Sequence, residues 1–73
     1  MGKLPVLSGE EVCNILRKRG FQNIRQRGSH IVLKKVDGNI GTVVPNHREL
    51  KIGTLKGILK LAKVNEETFA EYL

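Results

Sequence analysis

The chain has 73 residues, a formal net charge of +6 at pH 7 and a single cysteine. Because domains this small bury only about 60% of their unfolded surface, we expect one domain over residues 1–73, with a modest core and no deep active site. One cysteine excludes an intramolecular disulfide and a cysteine-based zinc cluster, and no apolar run approaches the ~18 residues that span a bilayer, so we expect a cytoplasmic protein without a membrane segment.

The first predicted element is a helix over residues 9–19. Ser8 and Glu11 have the spacing of a capping box, in which the serine hydroxyl and the glutamate carboxylate each accept a hydrogen bond from a free amide at the helix start. Gly20 follows as a left-handed stop. Cys13 is expected to be a small buried residue and not a nucleophile, beside an apolar stripe of Val12, Ile15 and Leu16.

Three strands are predicted next, over residues 21–27, 31–36 and 40–44. Residues 37–39, with the sequence Asp-Gly-Asn, favour a tight hairpin turn because they tolerate positive φ. Pro45 ends the third strand. Connections this short permit only antiparallel pairing, so the strands are expected to form a meander.

Alternation along the second strand assigns its two faces. Ile31 and Leu33 make the better core face, which leaves His30 and Lys34 on the open side or at its edge. Gly41 in the third strand indicates a bulge or the close approach of another backbone. The sequence therefore predicts an exposed histidine at the start of a strand.

A loop over residues 46–51, which carries His47, precedes the second predicted helix. Helical spacing gives that helix an apolar stripe of Ile52, Leu55, Ile58, Leu59 and Ala62. A second stripe, which faces solvent or phosphate, comprises Lys56, Lys60 and Lys63. A short last helix begins after Asn65, and the residues expected to close the core are Phe69, Tyr72 and Leu73.

The predicted elements are a helix, three antiparallel strands, a helix and a short terminal helix, which together define an α+β domain. Both long helices carry one apolar stripe, so they should pack on one face of the sheet and make two layers. The order is similar to that of double-stranded RNA-binding domains. A shared fold by itself says nothing about catalysis.

Positive charge is concentrated in the middle of the chain. Residues 17–63 hold twelve Lys and Arg against Asp37 and Glu49, a local net charge of +10. A focused positive region favours a polyanionic partner such as nucleic acid, and the alternative is a solvated charged face. The carboxylates are too scattered for a two-metal nuclease site and there is no phosphate-binding glycine loop, so no metal or cofactor is expected.

His30 follows a Gly28-Ser29 turn and has cations on both sides, at Arg25, Arg27, Lys34 and Lys35. Imidazole has an ordinary pKa near ~6.5, so it can both accept and donate a proton near neutral pH. RNA cleavage by attack of the ribose 2′-hydroxyl on its own phosphate needs a base near the hydroxyl and cations near the phosphate. His30 is the candidate base, and the alternative is an ordinary surface histidine.

Three motifs, in order along the chain, resemble one known family. They are Gly28-Ser29-His30, Val44-Pro45-x-His47 and Leu50-Lys51-x-Gly53-Thr54-Leu55-x-x-Ile58-Leu59, followed by Phe69-x-x-Tyr72. Over nearly the whole chain this pattern is similar to that of the HicA (YcfA-like) toxins of bacterial type II toxin–antitoxin systems. The resemblance implies the double-stranded-RNA-binding-domain-like fold and an endoribonuclease that cleaves mRNA (an mRNA interferase) and depends on the histidine of the turn. It also implies a HicB-type antitoxin as partner. Because the sequence contains no metal-ligand set, we expect the cleavage to be metal-independent.

His30 is accordingly the predicted catalytic residue. The predicted RNA-binding residues are Arg25, Arg27, Ser29, Lys34, Lys35, Lys56, Lys60 and Lys63. Ile31 departs from the family pattern, because members often place a second histidine or another polar residue there, and His47 is expected to shape its loop or bind the partner. Two alternatives stay open: a non-catalytic module that binds double-stranded RNA, and a degenerate family member that acts only through a protein partner.

Overall fold

The computed structural model describes residues 4–36 and 38–73. Its elements, in chain order, are α1 (Gly9–Lys18), β1 (Phe21–Arg27), β2 (His30–Lys35), β3 (Gly41–Pro45), α2 (Ile52–Ala62) and α3 (Glu66–Ala70). The predicted order is confirmed, although β2 begins and ends one residue earlier than predicted and β3 begins and ends one residue later. Asp37, in the predicted hairpin turn, lies outside the described residues. Within the described part, no helix has the length and hydropathy that a membrane span requires.

The start of α1 is fixed by the predicted capping box. The Ser8 Oγ accepts from the Glu11 amide at 3.1 Å, and the Glu11 Oε1 accepts from the Ser8 amide at 2.9 Å, so two amides with no helical partner are satisfied. At the other end Arg19 is the C-cap residue, outside the helix. Gly20 follows with a φ of 94°, as expected for a left-handed stop.

The sheet is an antiparallel meander in the order β1-β2-β3, which makes β2 the central strand. Ile31, Leu33 and Val44 are buried on one face of it. Both long helices pack on this face, α1 against β1 and β3, and α2 against β3. The domain therefore has one layer of helices and one layer of strands, which confirms the two-layer α+β fold.

The packing of α2 confirms most of its predicted apolar stripe. Its buried residues are Leu55, Ile58, Leu59 and Ala62. Ile52, predicted to belong to them, is 49% exposed because it lies in the first turn, beyond the edge of the core. Thr42 of β3 is buried, and its hydroxyl donates to the Ile58 carbonyl at 2.9 Å, which satisfies a buried polar group and joins the sheet to α2.

The last helix closes the core. The Asn65 Oδ1 accepts from the Thr68 amide at 2.7 Å and caps α3, while Phe69 is fully buried and Tyr72 packs half-buried against the core. Leu73, which was also predicted to close the core, is 53% exposed because it lies past the last helical turn. Phe69 and Tyr72 therefore carry the packing at this end.

Candidate nucleic-acid interface

The face of the sheet that the helices leave uncovered carries the predicted catalytic histidine. His30 lies opposite Arg27 on β1 and opposite Pro45 on β3. Residues directly opposite each other on neighbouring antiparallel strands point to the same face, with Cβ atoms about 4.5–5.5 Å apart. His30 and Arg27 are both exposed. We call this side, with His30, Arg27, Arg25 and Lys34, the outer face.

A bulge in β1 brings the arginines to the outer face. The register passes from Asn23 opposite Leu33 to Arg25 opposite Val32, which leaves Ile24 without a partner. Simple alternation from the buried Phe21 would have turned Arg25 and Arg27 toward the helices. The extra residue of the bulge reverses that assignment, so both arginines share the face of His30.

The backbone around His30 is held from several directions. As the first residue of the central strand, His30 pairs with strands on both sides. Gly28, with a φ of 55°, makes the preceding turn possible. The Asn46 amide donates to the Ser29 carbonyl at 2.5 Å, so the turn is also joined to the loop after β3. A catalytic side chain gains precision from such a rigid base.

Gly41 shows the close approach that its position in β3 predicted. A Cβ at this position would lie 3.2 Å from the carbonyl oxygen of Leu33 on the neighbouring strand. The bulge that was the other expectation for Gly41 occurs instead in β1. The glycine therefore lets β3 pair closely with β2 opposite Lys34, and it leaves the outer face open there because it has no side chain.

The structure brings together only part of the predicted RNA-binding set. Arg25, Arg27 and Lys34 share the outer face with His30, and Ser29 is exposed in the adjoining turn. Lys35 does not lie on the outer face, because it pairs with the buried Phe21 and lies half-buried on the helix side. Of the predicted RNA-binding residues, Ser29 and the three outer-face cations are therefore those that the fold places around His30.

The lysines of α2 lie on the other side of the sheet from His30. Lys56 and Lys60 are exposed on a helix whose opposite side packs against the inner face of the sheet. Lys63 is not on the helix: it is the C-cap, with a φ of 56°. Lys56 and Lys60 also border a groove of about 450 Å³ between α2 and α3 that contains Glu66 and Glu67. Those carboxylates reduce the positive potential at this lysine group.

His47 lies in the loop after β3, and its side chain is exposed. Its carbonyl oxygen accepts from the Gly9 amide at 2.9 Å, which ties the loop to the start of α1. There is no room for a Cβ on Gly9, because it would collide with the Pro45 carbonyl oxygen. The contact of His47 is made by backbone, so it supports the predicted loop-shaping role without using the imidazole.

A second feature was not predicted: an open cleft of about 250 Å³ between α1 and β1. Polar side chains line most of it, namely Glu10, Arg17, Asn23, Gln26 and Asn46. The sequence signal for it was present, because Asn23 and Gln26 interrupt the apolar pattern of a half-buried strand. This signal could not be interpreted from the sequence, because the bulge in β1 decides that Gln26 faces the helices and the sequence pattern did not locate that bulge.

Cys13 lies at the inner end of this cleft and is 2% exposed. Burial raises the pKa of its thiol above the ordinary value, and the nearby Arg17, which lowers the pKa, does not cancel that effect. The thiol is therefore protonated near neutral pH. This confirms the prediction of a small buried residue and makes a nucleophilic role incompatible with its surroundings.

No group of three His, Cys, Asp or Glu side chains in residues 4–36 and 38–73 is arranged to hold a metal ion. The acidic residues near the amino end of α3 and those near the amino end of α1 belong to separate elements.

The fold and the outer face define a small basic α+β protein of the double-stranded-RNA-binding-domain-like class. A model of the family described as "HicA toxin of bacterial toxin-antitoxin" matches residues 9–64, most of the chain, from the start of α1 to just beyond α2. The chain therefore belongs to the HicA toxin family, and its role is that of the toxin in a toxin–antitoxin pair. No curated protein matches it.

Proposed function

We propose that this toxin is a metal-independent endoribonuclease that cleaves mRNA and uses His30 as its general acid and base. The observation that carries the proposal is the position of His30, exposed at the start of the central strand, directly opposite Arg27 on the face that α1 and α2 leave uncovered. An open face admits a polymer of any length, which a deep pocket would not. Pairing with strands on both sides fixes the backbone that carries the imidazole.

The reaction requires no group beyond those present. The imidazole of His30 takes the proton of a ribose 2′-hydroxyl as the 2′-oxygen forms its bond to the adjacent phosphorus. The bond from phosphorus to the 5′-oxygen breaks, and that oxygen leaves with a proton, which the imidazolium can return. The products are a 2′,3′-cyclic phosphate and a 5′-hydroxyl. DNA lacks the 2′-hydroxyl and is not a substrate for this route.

Arg27 is the residue placed to stabilise the charge that develops on the phosphate. A guanidinium can donate two parallel hydrogen bonds to phosphate oxygens, and its charge is independent of pH in the physiological range. Arg25 and Lys34 lie further along the outer face, where they would follow the flanking phosphates. Ser29, in the turn, contributes a hydroxyl close to the strand end. Together with His30, these side chains would form one continuous surface for the RNA backbone.

Cleavage by the purified protein in the presence of a chelator is the direct test. Labelled mRNA should be cut in EDTA, the new 3′ ends should carry cyclic phosphate, and DNA of the same sequence should remain intact. Mass spectrometry of the fragments identifies the ends. RNA that is bound but never cut would support a non-catalytic RNA-binding module instead. A protein that neither binds nor cuts RNA would favour action through a protein partner alone.

The lysines of α2 are assigned a different role, that of general attraction. Because Lys56 and Lys60 lie behind the sheet, beside Glu66 and Glu67, changing both to glutamine should leave the cleavage rate at saturating RNA unchanged. Each phosphate contact contributes about 0.7–0.9 to the slope of log affinity against log salt. We expect the Lys56→Gln/Lys60→Gln variant to lose less of this slope than Arg25→Gln/Arg27→Gln, measured by salt titration. A larger loss in the lysine variant would move the RNA path to the helices.

The antitoxin partner is proposed to be of the HicB type and to cover the outer face. Along with its cations, this face carries Val43, which pairs with Val32 and is 39% exposed, and Ile24 at the bulge in β1 is 56% exposed. Such a mixture of exposed apolar and basic side chains suits an acidic protein surface with an apolar centre. A partner seated there would exclude RNA from His30, so inhibition would be competitive.

A further inference from the structure

The cleft between α1 and β1 holds polar side chains where the fold would place apolar ones. Asn23 lies opposite the buried Leu33, and Gln26 lies opposite the buried Ile31, so both occupy positions that face the helices. Both are nevertheless exposed. The helix layer leaves this end of β1 uncovered, and the amides line a recess instead of a core.

The charged part of the cleft is oriented by hydrogen bonds. The Arg17 Nη1 donates to the Asn23 Oδ1 at 3.2 Å, and the Nη2 donates to the Asn14 Oδ1. These contacts fix the plane of the guanidinium and leave further N–H donors unused. Glu10 supplies carboxylate oxygens that can accept hydrogen bonds at the same recess. The cleft therefore offers donors, acceptors and a flat surface together.

The cleft lies at the same end of the sheet as His30. Its lining residue Ile31 is the next residue after His30, and Gln26 is the residue before Arg27. Consecutive Cα atoms are about 3.8 Å apart. Asn46, which also lines the cleft, donates its backbone amide to the Ser29 carbonyl in the turn that precedes His30. Gln26 and Ile31 face the helix side, whereas Arg27 and His30 face the outer side. A strand of RNA would therefore reach both His30 and this cleft by crossing the Gly28-Ser29 end of the hairpin.

We propose that this cleft binds one unpaired base of the RNA, beside the phosphodiester that His30 cleaves. Its volume of about 250 Å³ falls below the range of roughly 300–1,000 Å³ for drug-sized ligands, which fits a single planar ring system. Asn, Gln and Arg are the side chains that hydrogen-bond the edges of bases, and Arg also stacks on their faces. The position of the base next to a cleaved bond rests on the proposed function, whereas base binding itself does not.

The test is a titration of ¹⁵N-labelled protein with the 5′-monophosphates of adenosine, guanosine, cytidine and uridine. We expect at least one of them to shift the side-chain amide signals of Asn23, Gln26 and Asn46. Ribose 5-phosphate, which has no base, should leave those signals in place. Gln26→Ala should weaken the response about tenfold, the loss expected when one good base contact is removed. Asn39→Ala, an exposed amide in the β2–β3 connection, is the matched control and should bind as the parent does.

Cleavage gives a second readout, which is independent of mononucleotide affinity. Sequencing the cut sites should show that Gln26→Ala, with His30 intact, loses about tenfold of the parent's preference for the base beside the cut. Equal shifts with ribose 5-phosphate, or no amide shift together with an unchanged cut-site preference, would overturn base binding in the cleft. Amide shifts with nucleotides from a protein that cuts no RNA would support the cleft and overturn the proposed nuclease function.

Discussion

His30→Ala is expected to abolish RNA cleavage and toxicity while the protein stays folded and still binds RNA. Removal of a general acid or base typically lowers the rate by about 10²- to 10⁴-fold. His30 is exposed and makes no part of the buried core, so its truncation should change the free energy of unfolding by no more than about 0.5 kcal/mol. Arg25, Arg27 and Lys34 remain to hold the phosphates. Single-turnover cleavage, thermal melting and RNA affinity measure the three properties separately.

His47→Ala is the matched control, because the chain has two histidines and both are exposed. The contact that His47 makes with Gly9 uses its backbone carbonyl, which alanine retains. This variant should fold and cleave at the parent rate. If folded His30→Ala cut RNA as fast as the parent while His47→Ala did not, the catalytic assignment would pass to the loop after β3. An unfolded His30→Ala would instead make the histidine a structural residue.

The parts of the fold that followed from sequence are those set by local rules. The Ser8 and Glu11 capping box and the Gly20 stop depend on residues within one turn of each other, so their spacing alone fixes the ends of α1. The alternation of Ile31 and Leu33 assigned the faces of β2, because a strand with one buried face has no other register. His30 was placed on the open side by this local reasoning.

The site needed information that no local pattern holds. A single bulge at Ile24 decides that Arg25 and Arg27 lie beside His30 and that Gln26 faces the cleft, and bulges carry no fixed sequence signature in a polar strand. The separation of Lys56 and Lys60 from His30 appears only once α2 is packed against the inner face of the sheet. The concentration of Lys and Arg in the middle of the sequence had suggested one basic surface. In the fold these cations are divided between the outer face of the sheet and the helix layer.

Because the cations are divided between the outer face and α2, charge reversal on each side can locate the binding site of the antitoxin. Arg27→Glu and Lys60→Glu change the net charge of the protein equally, but the first lies on the outer face and the second on α2. We expect Arg27→Glu to weaken the antitoxin complex at least tenfold, because the loss of one partner of a desolvated charge pair costs about 2–5 kcal/mol. Lys60→Glu should change the affinity only slightly. Calorimetric titration of both variants with the cognate antitoxin measures the difference.

Competition with RNA then separates a steric block from a remote effect. If the antitoxin covers His30, increasing concentrations of RNA should raise its apparent dissociation constant in proportion, and saturating antitoxin should stop cleavage completely. The inactive His30→Ala protein allows this titration without loss of the RNA. A ternary complex in which RNA and antitoxin bind without weakening each other would contradict the block, as would a Lys60→Glu variant that loses as much affinity as Arg27→Glu. In either case the antitoxin would have to act from the helix layer, through the strands that position His30.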